Sequence, residues 1–283
     1  MRIFLTGASG FIGSHVISRL WEHDIVAFTR TPLQRIAPHV TNVVATHADG
    51  ATLRDALKGC DAVLHLAAQS NAQRAAGDPV ACIDSNVTFT TRLAHLASLE
   101  DVPHFVFSSS ALVYGTPAAV PITEHTPTGA VGVYAASKLA AEVILQQTHQ
   151  HVSILRLFNV FGPGQTGTLI PALIEQFSAG KQPVLQGDGS QVRSFLYVDD
   201  CVDALCRAVE QRHTGTLNIA GHKASILEVT NYVAAAMGVV PDPSFGPGRV
   251  GEAPENWALH QAALDALGWA PSTPIASGIA LTV

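Results

Sequence analysis

The chain has 283 residues, of which 47% are apolar and 13% charged, and its formal net charge is −6. This composition predicts a folded protein with one large domain, or a main domain with a smaller annex, and excludes a largely disordered chain. The negative charge and the scattered basic residues exclude a nucleic-acid partner. The sequence has no apolar run near the roughly 20 residues that a membrane helix needs, so we expect no membrane association.

Two further features concern the compartment. The first residues read as a strand and not as a charged leader followed by an apolar run, so we expect no secretory signal. The four cysteines have neither CxxC spacing nor the density of a disulfide framework, which predicts reduced thiols, no metal site and a cytoplasmic location.

Short apolar runs alternate with segments of helical period through the first two thirds of the chain. The predicted strands are 3–6, 25–29, 42–46, 62–66, 104–107 and 153–157. The predicted helices are 11–22, 51–58, 80–98 and 135–150, and, in the Gly- and Pro-rich remainder, 168–179, 200–211 and 226–236. Continuous apolar strands joined by helices indicate an α/β fold with a Rossmann-type, doubly wound parallel sheet. We expect an NAD(P)-binding domain over 1–162 and mainly a smaller substrate-binding lobe over 163–283, with some later segments returning to the first domain.

A glycine-rich turn follows the first predicted strand. Gly7, Gly10 and Gly13 stand between that strand and a helix, in the order GxxGxxG. Such glycines permit a tight turn, a close approach of the backbone to phosphates and close packing of helix and strand. The helix N-terminus adds unpaired N–H groups and the positive end of its dipole. The turn therefore predicts a dinucleotide site.

The second predicted strand ends at Thr29-Arg30, where an NAD site usually has an acidic residue for the ribose 2'-hydroxyl. Arg30 is well placed for a 2'-phosphate, with Thr29 and Arg35 as possible helpers, although a solvated surface arginine has the same appearance. The cofactor is expected to be NAD(P), with NADP modestly favoured over NAD.

Tyr134 and Lys138 are four residues apart, so a helix would place both side chains on one face. A nearby ammonium and a positive nicotinamide ring both favour the phenolate, which lets a tyrosine act as acid or base near neutral pH. A serine run follows the strand that ends at Phe107, at the sheet edge where such folds bind ligands. Ser110 is the preferred catalytic serine and Ser109 the second choice, although a serine-rich turn can also cap its own backbone.

Several motifs together resemble the extended short-chain dehydrogenase/reductase family, and in particular its UDP-glucose 4-epimerase branch. They are TGASGFIGS (6–14), DAVLHLAA (61–68), SSSALVYG (108–115), YAASK (134–138), LRLFNVFGPGQ (155–165), GDGSQVRSFLYVDD (187–200) and ALGWAP (266–271). The resemblance covers nearly the whole chain in the family's order.

The resemblance implies roles for further residues. Those assigned to the cofactor are Phe11 and Ile12 along the pyrophosphate, Asp49 and Gly50 near the adenine, Leu66, Ala67 and Ala68 on the ribose side, Asn86, Ser108 and Phe158 beside it, and Tyr134 and Lys138 at the nicotinamide, where Lys138 binds the nicotinamide ribose. Those assigned to the substrate are Ser110 and Tyr134 at the reacting carbon, and Asn159, Arg193 and Arg249 at the diphosphate. Each also has a structural interpretation, such as Phe158 as core, Arg193 as a surface ion pair and Asp49 as a loop cap.

The implied reaction is hydride transfer at carbon 4 of a nucleoside diphosphate hexose. Ala111 and Leu112 stand where the family's dehydratases carry an Asp-Glu pair, which argues against dehydration. Ser194 and Val133 replace the family's usual aspartate and proline, so the substrate fit is expected to differ in detail. The alternatives are an NADPH-dependent 4-ketoreductase and, more remotely, a non-catalytic NADPH-binding scaffold. A homodimer through the helices near 80–98 and 135–150 is also implied.

Overall fold

The computed structural model describes residues 1–248 and 253–283. Its strands are β1 (Arg2–Thr6), β2 (Asp24–Thr29), β3 (Val40–Val44), β4 (Ala62–His65), β5 (Phe105–Ser110), β6 (Val152–Leu157), β7 (Val160–Phe161), β8 (Val184–Gln186), β9 (Val192–Tyr197), β10 (Gly215–Ile219), β11 (His222–Ser225), β12 (Ser244–Gly246) and β13 (Glu255–Asn256). Its α-helices are α1 (Phe11–Arg19), α2 (Gly50–Leu57), α3 (Ala72–Gly77), α4 (Pro79–Ile83), α5 (Phe89–Leu99), α6 (Val133–Thr148), α7 (Leu169–Ser178), α8 (Val198–Glu210), α9 (Ile226–Met237), α10 (Gln261–Leu267) and α11 (Ile275–Ala280).

The chain divides into two compact units, each made of three segments. The first comprises 1–115, 128–156 and 202–217, and the second comprises 116–127, 157–201 and 218–283. The segment 202–217 belongs to the first unit although it follows residue 162, and the segment 116–127 belongs to the second unit although it precedes that residue. Among the described residues, no helix is both long and apolar enough to cross a membrane.

A seven-stranded sheet in the order β3-β2-β1-β4-β5-β6-β10 forms the centre of the first unit. The pairs β1–β2, β1–β4, β2–β3 and β4–β5 are parallel. The order reverses after β3, because β4 returns to the other side of β1, which confirms the doubly wound Rossmann-type fold. The buried core on one face includes Phe4, Phe28, Phe89, Phe105 and Leu145. All six predicted strands of this sheet are present, with ends that differ by up to three residues.

The helix predicted over 80–98 is interrupted. It consists of α4, a π-helical turn over Asp84–Thr88 and α5. A π turn adds one residue to the helical repeat and often lies at functional sites. Periodicity alone does not reveal such an insertion, because the apolar positions on either side remain close to helical spacing.

The second unit contains smaller sheets. Strand β9 pairs with β11, β13 and β7, and β8 pairs with β12. Helix α9 begins with a capping box, in which Ser225 and Glu228 exchange side-chain and backbone hydrogen bonds. Asp200 accepts hydrogen bonds from Ser272 and from the backbone of Thr273, which anchors the segment before α11.

A buried histidine at the start of β5 makes the stability of the first unit dependent on pH. The His104 ring bonds Ser153 and the His213 carbonyl, and burial lowers its pKa. The unfolded chain then binds protons more readily than the folded one. The stabilisation is therefore complete above about pH 6.5 and is lost as the pH falls below that value.

We expect His104→Gln to flatten the loss of stability between pH 7 and pH 5 by about 1 kcal/mol, because glutamine keeps a polar side chain without titrating. Urea unfolding at several pH values measures this effect. His125→Gln, at an exposed position, is the matched control and should retain the wild-type pH dependence. Equal pH dependence in wild type and His104→Gln would contradict the prediction.

Candidate functional site

The turn between β1 and α1 requires glycine at two positions for steric reasons. Gly7 has a φ of 75°, and a Cβ added there would lie 2.8 Å from the backbone nitrogen of Ala67. A Cβ on Gly13 would lie 2.1 Å from the carbonyl oxygen of Gly7. Helix α1 begins after Gly10, a residue with no side chain that could cap the first N–H groups. A tight glycine turn before a helix N-terminus fits an anionic pyrophosphate, with Phe11 and Ile12 half-buried beside it.

A buried polar chain links this turn to the end of β4. The Thr6 hydroxyl lies 2.6 Å from His65 Nδ1 and accepts a hydrogen bond of 3.1 Å from the Ala67 N–H. On the other side, His65 Nε2 lies 2.8 Å from the Thr90 hydroxyl. Burial lowers the pKa of His65 well below its ordinary value, so the ring is neutral. The chain therefore fixes the backbone over Leu66, Ala67 and Ala68, the residues expected on the ribose side.

Asn86 lies in the π turn and ties two segments together. Its side-chain oxygen accepts a 2.7 Å hydrogen bond from the Gln69 N–H, and its amide donates to the Ser137 hydroxyl at 2.9 Å. Ser137 in turn donates to the Tyr134 carbonyl at 2.7 Å. Asn86 thus fixes the segment after β4 relative to α6.

Asp49 acts as the N-cap of α2. Its two carboxylate oxygens accept hydrogen bonds from the Thr52 N–H at 3.0 Å and from the Thr52 hydroxyl at 2.7 Å. These bonds lower the pKa of Asp49. This is the structural interpretation that the sequence left open, and the adenine contact assigned to Asp49 and Gly50 stays a prediction.

Arg30 is exposed at the end of β2. The Thr29 hydroxyl donates to the Thr31 carbonyl and accepts a hydrogen bond from Asn42, which fixes the turn that begins at Arg30. His47 stacks on Phe89 with ring centroids 4.1 Å apart. Burial and the positive charges of Arg30 and Arg92 lower the pKa of His47. Arg30 therefore belongs to a cationic region beyond the carboxyl ends of β2 and β3.

The serine run at the end of β5 and the first turns of α6 form one buried cluster. The side chain of Ser110 lies close enough to that of Tyr134 to lower its pKa, and the ammonium of Lys138 donates to the Ser108 carbonyl at 2.8 Å. The same ammonium lies 4.5 Å from the centre of the Phe107 ring. The Ser108 hydroxyl donates to the His65 carbonyl at 3.2 Å, which joins this cluster to the end of β4.

Burial dominates the titration of the two ionisable groups in this cluster. It raises the pKa of Tyr134 to about 12, against the lowering effect of the Ser110 side chain. It lowers the pKa of Lys138 to about 7, against the Glu142 carboxylate, which raises it. The protein alone thus holds Tyr134 as a phenol. A positive charge that arrives with a ligand would favour the phenolate.

Ser109, the second choice for the catalytic serine, points elsewhere. Its hydroxyl donates to Glu142 at 2.5 Å. Glu142 lies roughly two helical turns after Tyr134 on α6, so the Ser109 hydroxyl is engaged away from Tyr134. The cluster therefore supports Ser110 as the serine that acts with Tyr134.

Asn159 and Arg193, which are expected at the substrate diphosphate, lie in the second unit, as does Phe158, which is expected beside the cofactor. Phe158 is fully buried, and the Asn159 amide donates to the Ser194 carbonyl at 2.8 Å. The Arg193 guanidinium donates to the carbonyls of Val192, Pro254 and Ala253. Arg193 is thus held by backbone carbonyls, where a surface ion pair was the structural alternative. Arg249 lies outside the described residues.

A cavity of about 80 Å³ lies within the second unit, beside β7 and the start of α7. Its lining includes Asn159, Gln165, Thr168 and Phe195. Asn159 and Gln165 both belong to the LRLFNVFGPGQ motif. Motif residues therefore line a concave surface with both polar and aromatic groups.

Comparison with known proteins gives consistent results. Residues 3–220 match the sequence model of the NAD dependent epimerase/dehydratase family. A UDP-glucose 4-epimerase from Mycolicibacterium smegmatis is 34% identical over 306 residues, which cover 100% of this chain and 97% of the relative.

Solved structures agree. The UDP-N-acetylglucosamine 4-epimerase from Methanobrevibacter ruminantium, in complex with UDP-N-acetylmuramic acid, has a TM-score of 0.93 and 26% identity, with 99% of this chain and 96% of that chain covered. The UDP-glucuronic acid 4-epimerase from Bacillus cereus, in complex with UDP-glucuronic acid and NAD, has a TM-score of 0.90 and 26% identity, with coverage of 99% and 96%.

Proposed function

Because the chain belongs to the NAD dependent epimerase/dehydratase family, we propose that it is an NAD(P)-dependent nucleotide-sugar epimerase that inverts carbon 4 of a nucleoside diphosphate hexose. The observation that supports this activity most strongly is the buried cluster of Ser110, Tyr134 and Lys138 at the carboxyl end of β5. A buried tyrosine beside a serine hydroxyl suits the removal and return of the proton of a sugar hydroxyl, once a positive charge that arrives with the cofactor favours its phenolate.

Three side chains of the protein have separate roles in the reaction at carbon 4. Tyr134 takes the proton of the 4-hydroxyl and later returns it, while Ser110 hydrogen-bonds the same oxygen and holds it during both steps. Lys138 supplies positive charge at the base of the cluster, 2.8 Å from the Ser108 carbonyl. When bound, a nicotinamide dinucleotide supplies reversible hydride acceptance. The residues that would hold it are Gly7, Gly10, Phe11, Ile12, Gly13, Arg30, Asp49, Gly50, Leu66, Ala67, Ala68, Asn86, Ser108, Tyr134, Lys138 and Phe158, with Lys138 at the nicotinamide ribose.

The test is a conversion assay with UDP-glucose and UDP-galactose, followed by separation of the two sugar nucleotides. The proposal expects each to convert to the other without net consumption of cofactor. Oxidation of added NADPH by a keto-sugar nucleotide, with no interconversion, would instead identify a 4-ketoreductase. Tight NADPH binding with neither activity would identify the non-catalytic scaffold.

For the substrate we infer a nucleoside diphosphate sugar bound by Asn159, Arg193 and Arg249. The relatives named above act on UDP-sugars or were solved with them. A planar guanidinium matches the geometry of phosphate oxygens. The four cysteines are free thiols in the structure, which supports our assignment of the enzyme to the cytoplasm.

The cationic region around Arg30 supports a modest preference for NADP over NAD, and it is the one observation that favours the 4-ketoreductase alternative.

We expect Arg30→Ala to weaken NADPH binding about tenfold and to leave NADH binding nearly unchanged, because only NADPH carries the 2'-phosphate. Fluorescence titration with both reduced cofactors measures the two Kd values. Arg2→Ala, at the opposite end of the sheet, is the control. Equal effects on both cofactors would make Arg30 a surface residue.

We also propose a homodimer through α4 and α6, which are in contact within the first unit. Val80, Ile83 and Val143 leave large apolar side chains exposed on these helices. By contrast, Leu93 packs in the core and is unavailable to a partner.

We expect Val143→Lys to convert the dimer into a monomer, since a charge at the centre of an apolar interface stays unpaired. Sedimentation velocity at micromolar concentration gives the mass. Val240→Lys, at a position 85% exposed in the second unit, should leave the dimer intact. A wild-type protein that sediments as a single chain would end the dimer proposal.

A further inference from the structure

Two opposite charges are buried beside the proposed catalytic cluster, in the first unit. The side chains of Glu142 and Arg156 are only 2% and 9% exposed, and they form a bidentate ion pair with distances of 2.6 and 3.0 Å. Glu142 lies on α6, four residues after Lys138, and Arg156 lies on β6. The epimerase chemistry described above uses neither group. A buried ion pair seldom stabilises a fold more than apolar side chains of similar size would, so this pair calls for another explanation.

The pair reaches the strand end that carries Ser110. Glu142 accepts the hydrogen bond of the Ser109 hydroxyl at 2.5 Å, and Arg156 donates to the Tyr114 hydroxyl at 2.9 Å. The Arg156 guanidinium also lies 4.8 Å from the centre of the Tyr114 ring. Ser109 and Tyr114 flank Ser110 on both sides along the chain. The pair therefore holds the backbone before Ser110 and the 3₁₀ turn over Ala111–Tyr114 that follows it.

Glu142 also acts on the ammonium of Lys138, which lies four residues earlier on the same helix. The other groups around Lys138 are Tyr134 on α6, Cys82 on α4, neutral His65 on β4, and the Ser108 carbonyl and Phe107 ring on β5. Glu142 on α6 adds a carboxylate to these surroundings. Burial lowers the pKa of Lys138, and Glu142 is the strongest influence that opposes it.

We propose that Glu142 and Arg156 are positioning residues, which hold Ser109 and Tyr114 on either side of Ser110 and set the charge on Lys138. This role rests on the proposed function, because it concerns the serine and the lysine of that cluster. Glu142 keeps Lys138 charged, and Arg156 moderates the effect of Glu142 by pairing with it. A pair that only filled space would leave the Lys138 titration unchanged.

The test measures the Lys138 pKa directly in the protein without added ligand. The chain contains four lysines, at 58, 138, 181 and 223. Lysine labelled with ¹³C at the ε carbon therefore gives few NMR signals, and the one that is lost in Lys138→Arg belongs to Lys138. Its chemical shift is followed with pH in wild type, in Glu142→Gln and in the double variant Glu142→Gln with Arg156→Met.

We expect Glu142→Gln to lower the Lys138 pKa by about one unit or more, because it removes the carboxylate and leaves the Arg156 charge. The double variant removes both charges, so its Lys138 pKa should lie between those of Glu142→Gln and wild type. Because it does not leave Arg156 buried without its carboxylate, the double variant tests the proposal even if Glu142→Gln fails to fold. A Lys138 pKa that is the same in wild type and in either variant would overturn the proposal.

A second measurement separates positioning from charge. Ser109→Ala removes the hydrogen bond from the strand to Glu142 and leaves the ion pair intact. It should lower kcat and leave the Lys138 pKa near the wild-type value, and an unchanged kcat would overturn the positioning role. The NMR titration needs no activity. A shifted Lys138 pKa in a protein that interconverts no sugar nucleotide would therefore count against the proposed function alone.

Discussion

Replacing Tyr134 with phenylalanine is expected to lower kcat for epimerisation by about a thousandfold while the fold and the cofactor Kd stay nearly unchanged. Phenylalanine keeps the ring that packs on Ala75 and Cys82. It removes the hydroxyl that interacts with Ser110 and that, in the proposed reaction, accepts the proton. Initial rates with UDP-galactose, together with a thermal melt and a cofactor titration, measure the three quantities.

The matched control is Tyr232→Phe. It also removes a tyrosine hydroxyl, but from α9, where the Tyr232 side chain is 37% exposed. It should retain wild-type kcat. If Tyr134→Phe were also active at the wild-type rate, the proton would have to pass through another group, and the proposed chemistry at Ser110 and Tyr134 would fail.

Replacing Gly13 with alanine is expected to destabilise the first unit by about 3 kcal/mol and to abolish cofactor binding. The added Cβ would lie 2.1 Å from the Gly7 carbonyl oxygen and 2.8 Å from its carbon, so α1 and the glycine turn must move apart. The obstacle is backbone, which cannot turn aside as a flexible side chain would. Urea unfolding and a fluorescence titration with NADH measure the two effects.

Gly77→Ala is the comparison, because a Cβ at the last residue of α3 meets nothing within 4 Å. We expect that variant to be as stable as wild type or slightly more so, since alanine restricts the unfolded chain. A Gly13→Ala protein with wild-type stability and NADH binding would show that the turn tolerates separation from α1.

The sequence was most informative where one periodicity dominates. The parallel strands of the first unit are continuous apolar runs, so β1, β2 and β4 lie within a residue or two of their predicted bounds. Strand β5 extends three residues beyond its predicted end at Phe107, because its last residues are serines, which a search for apolar runs passes over. The π turn was also missed, since it changes the helical repeat without changing composition.

The candidate site was partly predictable. The spacing of Tyr134 and Lys138 and the serine run identified residues that the fold brings together. Glu142 was missed, although it continues the same four-residue spacing and so lies on the same helical face. Its role depends on its ion pair with Arg156. The spacing of these two residues along the sequence does not indicate that they form a pair. The backbone partners of Arg193 were equally invisible, because sequence patterns do not reveal bonds to main-chain carbonyls.

The division of both units into three segments has a consequence for synthesis of the chain. The edge strand β10 of the seven-stranded sheet ends at Ile219, far after its neighbour β6. Until the ribosome has made that strand, β6 remains an unpaired edge with exposed N–H and C=O groups. Such edges recruit strands from other chains. A protein truncated after residue 162 would keep this exposed edge permanently, so we expect aggregation from it and not an independent cofactor-binding domain.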